Sequence, residues 1–194
     1  MARSGERKNQ ILQTLAQMLE GPAAERITTA ALAARIGVSE AALYRHFRGK
    51  ADMFAALIDF VEQTVFSLIN KITSEEKSGL RQTEAMISML LGFAQKNRGM
   101  TRVLIGDALV TEDEALQARI NQIHDRLEAA LKQALRFAAT QQEIAADADL
   151  AAQANLLMSF VAGRWHQYAK SGFRRDPAEL WQLQWKQLME GVLA

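Results

Sequence analysis

The chain has 194 residues, 49% of them apolar, with 23 basic against 22 acidic side chains and a formal net charge of +1. No apolar stretch approaches the roughly 18 uncharged residues that a membrane span needs, and the polar, basic start MARSGERKNQ is no secretory signal. The absence of cysteine excludes disulfides, thiolate chemistry and cysteine-ligated zinc, and fits a reducing compartment, so a cytoplasmic protein with no membrane partner is expected.

The length allows a small domain joined to a larger one. Residues 1 to 50 carry a surplus of four basic side chains and the remainder a deficit of three, so a basic head that meets a polyanion is expected on a slightly acidic body. We divide the chain accordingly into 1–49 and 50–194.

With only two prolines and no run of alternating β-branched residues, the pattern is all-α, about nine helices. The first covers about Glu6 to Leu19, with Ile11, Leu12, Leu15, Met18 and Leu19 on one face, and stops at Gly21-Pro22. Short helices follow at about 29–36 and 40–46. A long one runs from about Lys50 to Thr73, and Gly79 breaks the next join. Helix five spans about 80–97 and helix six about 100–109. Thr111 to Glu114 reads as a capping box opening helix seven, whose stripe Leu116, Ile120, Ile123, Leu127, Leu131, Ala134 and Ala138 fits a bundle helix better than a coiled coil. Helix eight covers about 147–169. Asp176, Pro177 and Glu179 supply an N-cap, a first-turn proline and an N3 carboxylate for helix nine, which ends near Val192.

The strongest local signal is ITTAALAARIGVSEAALYRHF, from Ile27 to Phe47. Leu32, Ala33 and Ile36 line one helix, Gly37 turns the chain, Val38 plugs the turn, and Leu43 and Phe47 return from the next helix, the packing of a helix-turn-helix. Ser39 caps the second helix, with Glu40 at its positive end. Thr28, Thr29, Ala41, Ala42, Tyr44, Arg45 and His46 are left facing outward, small or polar enough for a major groove.

The segment IGVSEAALYRHFRGK resembles the signature of the TetR family, a G-V-S turn leading to a recognition helix that ends in L-Y-x-H-F, with a lysine opening helix four. The resemblance implies an N-terminal three-helix head on a larger helical dimerisation domain. It implies phosphate contacts from Thr28, Thr29, Tyr44 and Lys50, and places Ser39, Ala41, Arg45 and His46 near bases or backbone. The stretches RITTAALAARIGVSEAALYRHF, MLLGFAQKNRGMTRVLIGDAL and LQARINQIHDRLEAALKQAL are similar to the nucleoid occlusion branch of that family. The likeness covers most of residues 5–138 and weakens over the last 55. Members bind DNA as dimers and, while bound, recognise the C-terminal tail of the division protein FtsZ. The resemblance implies a groove for that tail between helices four and five, with Phe60, Met89, Gly92, Lys96 and Asn97 at matching positions. Leu68 departs from the pattern, standing where an arginine belongs, and Lys71 is the charge that could replace it.

Helices eight and nine are expected to pair two subunits through Leu157, Val161, Trp165, Trp181, Trp185 and Leu188. A twofold axis implies a near-palindromic duplex site, with more than one dimer per site allowed. No catalytic residue, cofactor or metal site is expected: His46, His124 and His166 lie on three separate helices, no phosphate loop or nucleophile elbow occurs, and Glu112, Asp113 and Glu114 read as helix-start chemistry. The reading is therefore a nucleoid-associated, non-enzymatic DNA-binding factor that blocks septum assembly. The alternative is a TetR-type repressor released from DNA by a small inducer held in an apolar cavity.

Overall fold

The computed structural model describes residues 4–21, 27–110, 112–191 and 193. Among these lie nine α-helices: α1 (Ser4–Met18), α2 (Thr29–Ile36), α3 (Glu40–Tyr44), α4 (Lys50–Glu75), α5 (Gly79–Lys96), α6 (Arg98–Leu104), α7 (Glu114–Thr140), α8 (Leu150–Lys170) and α9 (Trp181–Met189). No strand occurs among the described residues, only an isolated antiparallel bridge between Ile144 and Leu193. No helix among them is long and apolar enough to cross a membrane. The fold is all-α, as the composition requires. Pro22, Arg26, Thr111 and Val192 lie outside the described residues.

Two compact units form, Met1–Glu62 with Asn97–Ile120, and Gln63–Lys96 with Asn121–Ala194. In the first, α1 packs on α2 and α6. Ile11 and Leu15 in α1 and Leu19 just past its end, spaced by four, are buried, as are Leu32 and Ala33 in α2, Leu43 in α3 and Phe47 after it. Gly99 is where α6 crosses α1: a β-carbon there would sit 1.9 Å from the Ala16 carbonyl oxygen, so only glycine fits. Three residues on, the buried Arg102 guanidinium pairs with Asp107 at 3.0 Å and donates to the Gly21 carbonyl at 3.2 Å. A covered cation is tolerated there because it is paired and hydrogen-bonded.

In the second unit, α5 packs on α8. Trp165 is fully buried, its indole Nε1–H donating to the Leu90 carbonyl at 3.1 Å, with the His124 ring 5.8 Å away. Gly79 does not break a join as expected from sequence. It is the first residue of α5, and glycine is needed because a β-carbon would lie 2.1 Å from the Ala138 backbone nitrogen. The orphan donors of that helix start are met from the turn that follows α7: Gly79 N–H donates to Gln141 Oε1 and Leu80 N–H to Glu143 Oε2, each at 2.9 Å.

At the start of α7, Asp113 Oδ1 accepts the Ala115 N–H at 2.9 Å; the capping box read from Thr111 lies outside the described residues. The start of α9 differs from the sequence reading. Asp176 does accept from Ala178 N–H at 2.8 Å, yet α9 begins only at Trp181, after Leu180 at φ 63°. Arg164 spans this turn, its guanidinium donating to the carbonyls of Asp176, Pro177 and Glu179 at 2.8, 2.9 and 2.8 Å, while the Asp176 carbonyl also accepts the Glu179 N–H at 3.2 Å.

The residues expected to face a second subunit also need correction. Leu157, Val161 and Trp165 have no exposed surface, and Trp181 and Trp185 are buried, so these five belong to the chain's own core. Only Leu188 is half-buried, its carbonyl accepting from Gln153 Nε2 at 2.7 Å. The apolar surface left open on α8 lies on Leu156, Phe160 and Gly163, and on α9 it is Leu183. Phe160 and Trp181 join the two helices with ring centres 5.8 Å apart.

Candidate nucleic-acid interface

The turn between α2 and α3 is built by local rules. Thr28 adopts an extended backbone and its hydroxyl oxygen accepts the Ala31 N–H at 3.1 Å, capping α2. Gly37, at φ 77°, closes that helix in the left-handed region, and Val38 N–H returns to the Ala33 carbonyl at 3.0 Å. Ser39 then caps α3 through the Ala42 N–H at 3.3 Å. Leu43 and Phe47 anchor the inner side, leaving Ala41, Tyr44 and Arg45 exposed and His46 half-buried.

The outward side chains are organised among themselves. Thr29 Oγ1 donates to Glu40 Oε2 at 2.7 Å, and the Tyr44 hydroxyl lies 3.5 Å from Thr29 Oγ1. Thr29, Glu40 and Tyr44 therefore meet at one point of the surface. Arg35 and Arg48 are exposed in the same unit, and Lys8 stands 5.7 Å from the centre of the Phe47 ring. Lys50 is held differently from the rest. Its ammonium pairs with Glu112 at 2.5 Å and donates to the Ile27 carbonyl at 3.0 Å, with only 21% of the side chain exposed. Sequence reasoning treated Glu112 as helix-start chemistry and missed both Glu40 and Glu112 as partners. Glu112 is 62 positions away from Lys50, beyond any local signal.

The residues matched to a peptide groove are placed as follows. In the first unit, Phe60 has 49% of its surface exposed, and Asn97 is half-buried with its carbonyl accepting the Thr101 N–H at 2.9 Å. In the second, Met89, Gly92 and Lys96 share one face of α5, half-buried at the first two positions and exposed at the third. A β-carbon on Gly92 would meet nothing within 4 Å, so that position is open. Leu68 is 38% exposed, and Lys71 lies 3.9 Å from Glu75 on its own helix.

The same arrangement occurs in known proteins. Residues 11–57 match the family described as bacterial regulatory proteins, tetR family, and residues 77–192 match the tetracyclin repressor-like, C-terminal domain of SlmA-like proteins. A nucleoid occlusion factor SlmA from Marinomonas sp. is 45% identical over 191 residues, covering 98% of this chain and 97% of that protein. Another from Alteromonas mediterranea is 49% identical over 179 residues, 92% of each. A TetR transcription regulator from Haloarcula marismortui superposes with a TM-score of 0.82 over 98% of this chain and 100% of that one, at 17% identity, a likeness of fold alone. Sequence and architecture agree along nearly the whole length, and the chain belongs to the TetR family of bacterial regulatory proteins and, within it, to the nucleoid occlusion factors named SlmA.

Proposed function

We propose that this protein binds duplex DNA as a homodimer and, while bound, captures the C-terminal tail of FtsZ, blocking septum assembly over the nucleoid. The observation that carries the reading is the outward face of α3. A capped, anchored helix presents Ala41, Tyr44 and Arg45 to solvent beside the starts of α2 and α3. Hydroxyls, helix N-terminal amides and arginines are the groups that contact phosphates and base edges. Kinship with nucleoid occlusion factors supports the septation role.

In this reading residues 1–49 are the DNA-binding domain and 50–194 the dimerisation and partner-binding domain. Thr28, Thr29, Tyr44 and Lys50 take phosphates, and Ser39, Ala41, Arg45 and His46 lie against bases or backbone. Leu156, Phe160, Gly163 and Leu183 pair two subunits. Their twofold axis sets two recognition helices roughly 34 Å, or a multiple of that, apart on a near-palindrome, with room for more than one dimer per site. The tail is taken on α5 by Met89, Gly92 and Lys96, an apolar side chain for its apolar residues, an open glycine for its backbone and a cation for its carboxylates, with Phe60 and Asn97 the further positions matched by kinship.

The test is titration of a labelled FtsZ tail peptide into the protein with and without a duplex site selected from genomic fragments. Tight binding only with DNA is expected. No binding in either condition removes the septation role and leaves a plain DNA-binding regulator.

A further inference from the structure

We propose that Glu112 competes with the DNA backbone for Lys50, so that the lysine exchanges a carboxylate for a phosphate when a duplex binds. The inference rests on the DNA-binding reading above. It starts from the position of the ammonium, 2.5 Å from Glu112 Oε1 and 3.0 Å from the Ile27 carbonyl, with the two side chains only 21% and 9% exposed.

Ile27 immediately precedes Thr28, the N-cap of α2. The ammonium therefore stands at the entrance to that helix, where first-turn amides without helical partners attract anions. The Glu112 carboxylate, within ion-pair distance of the ammonium, places an internal anion beside the spot a phosphate would take. Without it, a largely covered ammonium would lack a counter-charge. A lysine is a point charge on a flexible four-carbon stem. Its head can turn from Glu112 to a phosphate at the α2 start while the backbone of α4 stays in place.

The exchange has a defined thermodynamic signature. Breaking the pair subtracts from the free energy of every Lys50–phosphate contact, so Glu112 weakens binding to any duplex irrespective of sequence. The carboxylate thus sets the affinity of the interface without touching a base.

Fluorescence-anisotropy titrations of the full-length protein, with a selected duplex and a scrambled one of equal length at several salt concentrations, test this. Glu112→Gln is expected to tighten binding to both duplexes by about three- to tenfold. Lys50→Gln is expected to weaken both and to lower the slope of log K against log salt by about 0.9, the value of one phosphate contact. In the Lys50→Gln background, Glu112→Gln should have no effect. An equal gain in both backgrounds would mean that only net charge had changed, and weaker binding by Glu112→Gln would mean that the carboxylate positions the lysine; either overturns the exchange. Glu112→Asp, one methylene shorter, gives a smaller gain in the same direction and serves if the glutamine variant lowers Tm. Wild-type protein that binds neither duplex takes down the DNA-binding reading itself, a result distinct from these.

Discussion

Thr29 donates its hydroxyl to the carboxylate of Glu40 at 2.7 Å, tying the first turn of α2 to the first turn of α3. A helix of five residues has no stability of its own, so the bearing of α3 depends on Leu43 beneath it and on this tie above. Glu40→Ala should cost about 0.5 to 1 kcal/mol of stability. It should also narrow the gap between specific and scrambled duplexes, even though losing an acidic group strengthens binding overall. Glu40→Gln keeps an acceptor and should retain most of the discrimination. Competition binding with both duplexes checks the pair of variants, and equal discrimination by wild type and alanine variant would sever the tie from recognition.

Three glycines divide sharply. Gly99→Ala and Gly79→Ala drive a β-carbon into backbone at 1.9 and 2.1 Å, and each should cost about 2 kcal/mol or more in chemical denaturation. Gly163→Ala meets nothing within 4 Å and replaces a poor helix former in mid-helix, so the isolated chain should gain about 1 kcal/mol. If α8 pairs two subunits there, the added methyl groups crowd the contact. Analytical ultracentrifugation should then show weaker dimerisation although the chain is more stable.

Trp165 fills the middle of the second unit and gives its indole N–H to Leu90. Trp165→Phe removes ring volume and the donor together, and should cost about 2 kcal/mol; Trp165→Ala should cost about 3 to 5 kcal/mol. Urea midpoints should fall with little change in m.

Asp149 caps α8, its carboxylate accepting Ala152 N–H at 3.0 Å and Ala151 N–H at 2.9 Å. The bond from Ala152, then that from Ala151, holds its pKa below the ordinary carboxylate value. A depressed pKa gives a contribution fully present above the unfolded value of about 4 and lost as pH falls through the folded one. The stability difference between wild type and Asp149→Asn should therefore be constant near neutrality and shrink below about pH 4. A difference independent of pH would mean that the cap acts without its charge.

The head was legible because its signals are local. Ser39, Gly37 and the spacing of Leu32, Ala33, Leu43 and Phe47 fall inside one short stretch, and each takes the place that capping and packing rules give it. The body was legible as helices and less so as faces. On α8, Leu156 and Leu157 are neighbours in sequence and about 100° apart around the axis. One is 47% exposed and the other fully buried. A helix apolar on two sides does not say which side its own chain covers, so the residues first assigned to a subunit contact proved interior. Partners remote in sequence left no trace at all: Glu112 on Lys50, Gln141 and Glu143 on the start of α5, and the Arg164 fork on the turn before α9.

That fork makes the stretch before α9 a fixed-length ruler. Because one planar guanidinium gathers the carbonyls of Asp176, Pro177 and Glu179 within four residues, adding or deleting a single amino acid between Asp176 and Leu180 could not leave all three in reach. Each residue gained or lost would also rotate the following helix by about 100°, swinging Trp181 and Trp185 from the interior toward water. Natural variation in the connection should accordingly be confined to residue type and spare its length.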